Sequence, residues 1–277
     1  MPSILITKAS GAKEPFSREK LRRSLERSGA PPEVVDSAVR QIEDKIRPGM
    51  STRRIYQLAF GLLKKHHRPE AGRYSLKRAI AEMGPTGHPF EKLVGEILKT
   101  QGYHVKVAEM VKGHCVTHEV DVVAEMPGRR LMVECKFHNG AGTKSDVKVV
   151  LYVWARFEDI RRAWEKLEGQ ENYFNQAWLA TNTKLTSDAI KYAECMGLRA
   201  VSWEYPPGES LPALIEQAGL HPITALTGLT RPEKRQLTAK GIILCKELDG
   251  SALAGIGITG SRAGQIMKEL EELCRKM

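Results

Sequence analysis

Glu119-Val120-Asp121-Val122-Val123 and, after a short turn, Leu131-Met132-Val133-Glu134-Cys135-Lys136-Phe137 decide how the middle of this chain folds. Both segments alternate charged with apolar residues. On the two-residue period of a strand, Glu119 and Asp121 share one face while Val120 and Val122 share the other. In the second segment Glu134 and Lys136 lie opposite Val133, Cys135 and Phe137. Met126-Pro127-Gly128 reads as the turn of a hairpin, which brings Asp121 and Glu134 to one point. Two carboxylates there make a hard-oxygen site for Mg²⁺ or Mn²⁺. Lys136 adds a fixed positive charge beside it. Glu91, at the start of the preceding helical segment, is a candidate third acid, with Glu96 on a nearby turn as its competitor.

Outward from this hairpin, Leu93, Val94, Ile97 and Leu98 mark a helix, followed by strands over 103–107, 118–124 and 130–137. Downstream come a helix over 146–167, the apolar run Ala177-Trp178-Leu179-Ala180-Thr181, a helix over 187–196 and a strand over 198–203. Alternating strands and helices predict an α/β fold, a mixed sheet flanked by helices. Gly84-Pro85-Thr86-Gly87 and Pro206-Pro207-Gly208 break the pattern on either side and divide the chain into 1–83, 84–206 and 207–277. The first segment reads as a small hairpin and then helices: one capped by Ser17, one carrying Val35, Val39, Ile42 and Ile46, one capped by Ser51, and one over 74–83. The last is helical and ends in a charged amphipathic helix over 263–274. No internal repeat is read in the chain.

Phosphodiester hydrolysis is the chemistry this central set suits. A bound metal polarises a phosphoryl oxygen and activates water, and a lysine stabilises charge in the transition state. An acid in one apolar strand followed by Glu-x-Lys in the next resembles the PD-(D/E)xK nucleases, and 88–205 is similar to the restriction-endonuclease-like branch related to Mrr enzymes. That resemblance implies a DNA substrate and Mg²⁺, metal binding by Asp121 and Glu134, catalysis by Lys136 and support from Glu91. Where that family often has a glutamine in the next helix, this chain has Lys148 and Tyr152.

The flanking segments carry resemblances of their own. Leu5-Ile6-Thr7-Lys8, Gly11, Glu14, Phe16-Ser17-Arg18-Glu19-Lys20-Leu21, Gly49-x-Ser51-Thr52 and Tyr74-Ser75-Leu76 make the first segment resemble an ATP-cone. This implies ATP or dATP as an allosteric ligand, with Lys8 and Lys20 near the phosphates, Glu14 near the base and Thr52 in the pocket wall. Ala9-Ser10 replaces the usual Arg-Asp. The tail resembles helix-hairpin-helix modules in Gly241-Ile242 and Gly255-Ile256-Gly257-Ile258-Thr259-Gly260, where glycine turns let backbone amides approach a DNA phosphate.

Composition agrees with a polyanionic partner: 43 Lys+Arg against 33 Asp+Glu leave a formal charge of +10. No apolar run is long enough to span a bilayer, so no membrane association and a cytoplasmic location are expected. The five scattered cysteines fit reduced thiols. Cys115-x-x-His118 and Cys135-x-x-His138 invite a zinc reading, but residues three apart in a strand face opposite ways, so these cysteines are read as small core residues. There is no Gly-x-x-x-x-Gly-Lys-Ser/Thr loop, so nucleotide would regulate rather than drive the reaction. A metal-dependent endonuclease acting on DNA is the leading expectation, as a homodimer if it cuts both strands. A structure-selective junction nuclease and a non-catalytic nucleotide-responsive DNA-binding regulator are the alternatives.

Overall fold

The computed structural model describes residues 4–8, 10–140, 142–165 and 173–275. Ala9 and the last two positions of the helix expected over 146–167 lie outside them. The chain forms two compact units, one of residues 81–220 and one in which 4–80 and 221–275 come together.

In the first segment β1 (Leu5–Thr7) and β2 (Lys13–Pro15) pair antiparallel, Ile6 opposite Glu14. They lead into α1 (Arg18–Glu26), α2 (Pro32–Glu43) and α3 (Thr52–His66). Ser17 and Ser51 cap α1 and α3, each accepting the amide three residues on at 3.2 Å. Leu21, Leu25, Val35, Val39, Ile42, Ile55, Ala59 and Leu63 meet in one core. The helix expected over 74–83 is the shorter α5 (Leu76–Ala81), and before it stands α4 (Arg68–Tyr74), which the sequence pattern did not indicate. The break falls at Ser75, whose hydroxyl donates back to the Gly72 carbonyl at 3.0 Å.

The second unit contains α6 (His88–Thr100), β3 (His104–Lys112), β4 (Thr117–Met126), β5 (Arg129–Lys136), β6 (Lys144–Ser145), α7 (Val147–Glu165), β7 (Gln176–Thr181), β8 (Lys184–Leu185), α8 (Ser187–Cys195), β9 (Arg199–Val201) and α9 (Leu211–Ala218). Its main sheet has the order β3-β4-β5-β7-β9, antiparallel through β5 and parallel beyond it. Val123, Met132, Leu179 and Ala200 pack on one face beneath Val150, Val153 and Phe157 of α7 and Ala189 of α8. On the other face α6 sets Phe90 against Phe137, ring centres 5.7 Å apart. α9 packs on α6, so this unit continues past Pro206-Pro207-Gly208 to residue 220.

The tail has α10 (Arg231–Ala239), α11 (Gly250–Ala254) and α12 (Gly260–Leu273), with 3₁₀ turns at Ile223–Ala225 and Cys245–Glu247. It holds a two-fold repeat that the sequence reading did not find. Pro222 bridges Leu244, so the two 3₁₀ turns start side by side. Each following helix ends alike: the Ile242 amide donates to the Leu237 carbonyl at 3.1 Å and the Ile258 amide to Leu253 at 2.9 Å, with Gly241 and Gly257 both at φ 80°. α10 has 9 residues and α11 has 5, so the repeat has no constant period.

This tail is built onto the first segment. A side chain at Gly72 of α4 would press on the Ala225 carbonyl and on Leu273 at 3.1 Å. Thr224 donates to the Ala79 carbonyl at 2.6 Å, and Lys64 at the end of α3 donates to the Thr227 carbonyl at 3.1 Å. Glu269, almost fully buried, accepts the amides of Thr227 and Gly228.

At the start of α10, Glu233 closes a capping box with Thr230 and takes two 2.7 Å hydrogen bonds from Arg262. Arg262 chiefly, against the effect of burial and helped by the Thr230 amide, lowers the Glu233 carboxyl to about 2. A depressed carboxylate contributes stability above its ordinary range and loses it as pH falls toward the depressed value. Glu233→Gln is therefore expected to cost about 1 kcal/mol at pH 7. In thermal melts the difference from wild type should close as pH falls from 4.5 toward 2; a pH-independent difference would refute the ion-pair origin.

Candidate active site

The β4–β5 ladder runs as far as the pair Val122–Val133. One step further, Asp121 Oδ2 accepts the Cys135 amide at 2.6 Å. A carboxylate thus takes the place of a strand carbonyl. On the other side of β4, Ala108 lies between the pairs Val107–Val122 and Glu109–Val120 and has φ 57°. An alanine there is strained by about 1–2 kcal/mol. Val120 and Val123 both enter the core beneath α7, so the strict alternation expected over 119–123 is interrupted at Asp121. The beginning of β4 is pinned by Asp159 of α7, which accepts His118 Nε2 and the Cys115 amide at 2.8 Å each. With burial working against them, these bonds hold the Asp159 carboxyl far below its usual range.

Asp121, Glu134 and Glu91 form an acidic group in which the charge of Asp121 raises the pKa of the two glutamates. Burial lifts Glu134, with the charge of Asp121 next. The same two causes, in the same order, lift Glu91. Asp121 is lifted by burial while the Cys135 amide and Arg156 pull it down. Glu91 thus feels the site from the first turn of α6, whereas Glu96 pairs with Lys99 at 2.7 Å. Lys136 is exposed at the end of β5, and its charge lowers both Asp121 and Glu134.

The sequence reading missed Arg156. From α7 its guanidinium pairs with Glu134, donates to the Glu119 carbonyl and stacks over Tyr152 at 5.2 Å. A signal was available: Lys148, Tyr152 and Arg156 recur every four residues, on one face of the helix.

Among the described residues no three His, Cys, Asp or Glu side chains form a ready-made metal cluster. The Asp121/Glu134 pair nevertheless suits a hard divalent ion in its donor chemistry, since a cation relieves the repulsion between two half-buried carboxylates. Two carboxylates suffice for Mg²⁺, which keeps several of its waters. The Cys-x-x-His pairs go elsewhere. Cys135 is buried, His138 meets Ser145 at 3.3 Å and the Asn182 side chain through its backbone, and Cys115 and His118 both turn to Asp159.

In the first segment, Lys8 and Lys20 both reach Glu14, at 2.7 and 3.6 Å. The hydrogen bond from Lys8 is the main reason the Glu14 carboxyl falls below its ordinary value. Ser51 bridges Thr7, which sets Thr52 and the start of α3 beside the same strand. The four residues expected at a nucleotide are thereby neighbours.

Three family models match successive stretches of the chain. The model of the ATP cone domain matches 4–82, that of a restriction endonuclease domain matches 82–202, and that of the AF1548-like C-terminal domain matches 221–274. Over 183 residues the chain is 33% identical to an uncharacterized protein of Archaeoglobus fulgidus, covering 65% of this chain and 99% of the relative. The chain belongs to the AF1548-like family. The crystal structure of AF1548, described as a protein of unknown function, is 33% identical, superposes with a TM-score of 0.53 and covers 68% of this chain and 98% of its own. This AF1548-like chain therefore joins an ATP cone to a middle unit of restriction-endonuclease-like fold and a family-specific tail.

Arg156 and Glu134 are each almost buried, with 11% and 12% of the side chain exposed. Arg156→Met leaves the carboxylate pair without its nearest counter-charge and is expected to cost about 3 kcal/mol in the metal-free protein. Mn²⁺ should raise the melting temperature of the variant more than that of wild type. Equal melting of the two metal-free proteins would show that the pair carries no such load.

Proposed function

We propose that this protein is a metal-dependent endodeoxyribonuclease with its active site at Asp121, Glu134 and Lys136, assisted by Glu91. The observation that carries the proposal is the convergence of mutually repelling, half-buried carboxylates at the end of the β4–β5 ladder, next to Lys136, in a restriction-endonuclease-like domain. Asp121 and Glu134 would hold the ion. When bound, Mg²⁺ or Mn²⁺ supplies Lewis acidity and an activated water. Lys136, exposed at the strand end, orients the attacking water or offsets the charge that builds on the phosphate. Glu91 adds an acid from α6. Arg156 keeps Glu134 in place from the opposite side of the site.

DNA is the proposed substrate, because the chain carries +10 and the tail repeats a glycine turn suited to backbone phosphates. Such contacts do not read sequence, which favours a shape-selective substrate as the second reading. Cutting both strands calls for two sites and hence a homodimer. ATP or dATP would bind at Lys8, Glu14, Lys20 and Thr52 and act as a regulator. α3 supports a route for that regulation: Thr52 begins it, and Lys64, near its far end, holds Thr227 of the tail.

The test incubates the purified chain with Mg²⁺ and supercoiled plasmid or a branched duplex, with and without ATP or dATP. Wild type should nick or linearise DNA. Asp121→Ala and Lys136→Ala should each lose at least about 10²-fold in rate, and Lys20→Ala should remove any response to nucleotide. Failure of wild type to cleave any of these DNAs would reject the nuclease and favour a DNA-binding regulator.

A further inference from the structure

Cys245 and Cys274 lie far apart in the sequence and meet in the tail. Cys245 opens the second 3₁₀ turn and Cys274 caps the C-terminal end of α12. Cys274 packs against the buried cluster that contains Cys245, and each thiol shifts the ionisation of the other. Cys245 is completely buried in the tail's core, and Cys274 packs against that core from its partly exposed rim. His221, also wholly buried, is near enough to help lower the Cys274 thiol, and its carbonyl accepts the Cys245 amide at 2.8 Å. That backbone bond ties His221 to the turn that carries Cys245.

The two thiols are unequal. The hydrogen bond from Cys245, against the effect of burial and with His221 helping, brings the Cys274 thiol down to about 5. Burial drives the Cys245 thiol up, as do Cys274 and the charge of Glu269, with Lys234 opposing. A nucleophilic thiolate at the rim with a protonated partner behind it is the arrangement of an attacking and a resolving cysteine. The other cysteines differ. The thiol of Cys115 is raised by its hydrogen bond to Asp159, Cys135 is buried among carboxylates that raise it, and Cys195 is exposed on α8. Among the described residues, Cys245, Cys274 and His221 make no metal-holding group.

We propose that Cys245 and Cys274 are a redox site that closes reversibly to a disulfide when the protein meets a peroxide. The Cys274 thiolate attacks one peroxide oxygen, the O–O bond breaks, and the sulfur becomes a sulfenic acid. The proton that Cys274 gave up, held on the His221 imidazole, passes to the departing hydroxide, which leaves as water. Cys245 then attacks that sulfur, the S–O bond breaks as the S–S bond forms, and the second hydroxide carries off the Cys245 proton as water. Two thiols lose two electrons and two protons, and one hydrogen peroxide becomes two waters. A dithiol reductant reverses the change.

The bond ties the 3₁₀ turn to the end of α12, the helix that also meets the first segment. Arg73 of α4 donates to the Glu272 carbonyl at 2.7 Å, and His67 Nε2 meets the Glu272 carboxylate at 3.0 Å. Oxidation would thus fasten the tail at the point where it joins the ATP cone.

The experiment treats the reduced, desalted full chain with hydrogen peroxide, followed by alkylation, intact mass and non-reducing peptide mapping. Free thiols should fall from five by two, the mass should drop by two hydrogens, and one peptide should join Cys245 to Cys274. The melting temperature should rise on oxidation and return with dithiothreitol. Cys274→Ser should abolish the link, whereas Cys245→Ser should stop at a sulfenic acid on Cys274 that dimedone traps. Retention of all five thiols by folded wild type, or a link formed through Cys115 or Cys195 instead, would overturn the proposal.

Discussion

The repulsion between Asp121 and Glu134 is the constraint around which the middle unit is arranged. Neither carboxylate is free in water: burial raises the cost of ionising both, and the charge of Asp121 adds to it at Glu134. The surrounding structure offsets that cost piece by piece: the Cys135 amide at Asp121, the Arg156 guanidinium at Glu134 and the Lys136 charge beside both. Ending the β4–β5 ladder one residue early frees the Cys135 amide for this purpose. The strained Ala108 on the neighbouring strand and the interrupted alternation at Asp121 belong to the same local departure from a regular sheet. Backbone strain of this kind persists only where the surrounding structure holds it in place.

Much of this was legible in the sequence because period-two patterning reports which residues share a face. Met132, Glu134 and Lys136 follow the expected alternation, and the helix bearing Glu91 lies where its apolar spacing put it. The pattern failed at Val120 to Val123, where backbone geometry and not side-chain order sets the facing. Arg156 escaped notice because its partner, Glu134, is 22 residues away and long-range ion pairs leave no local pattern. The helix α4 escaped for a different reason: its seven residues bury Pro69, Glu70, Ala71 and Gly72 instead of a periodic row of large apolar side chains.

The ends of the chain show a different limit. Turn residues at 84–87 and 206–208 suggested three segments in a row, but punctuation in a sequence cannot say which segments later meet. The ATP cone and the tail share a compact unit through buried contacts such as Gly72 against Leu273 and Thr224 to Ala79. The tail's repeat was hidden by the unequal lengths of α10 and α11, although Leu237 with Gly241-Ile242 and Leu253 with Gly257-Ile258 keep the same spacing. Placing the expected nucleotide residues and the tail on one helix, α3, gives the regulatory proposal a physical carrier.

Titration calorimetry of Mn²⁺ into the nucleotide-free, DNA-free chain at neutral pH tests the central claim most directly. Binding should be present in wild type, lost in both Asp121→Ala and Glu134→Ala, and retained in Lys136→Ala, whose side chain is expected to serve the reaction and not the ion. Binding that survives removal of either carboxylate, or no binding by wild type, would contradict the assignment of this pair as a metal site.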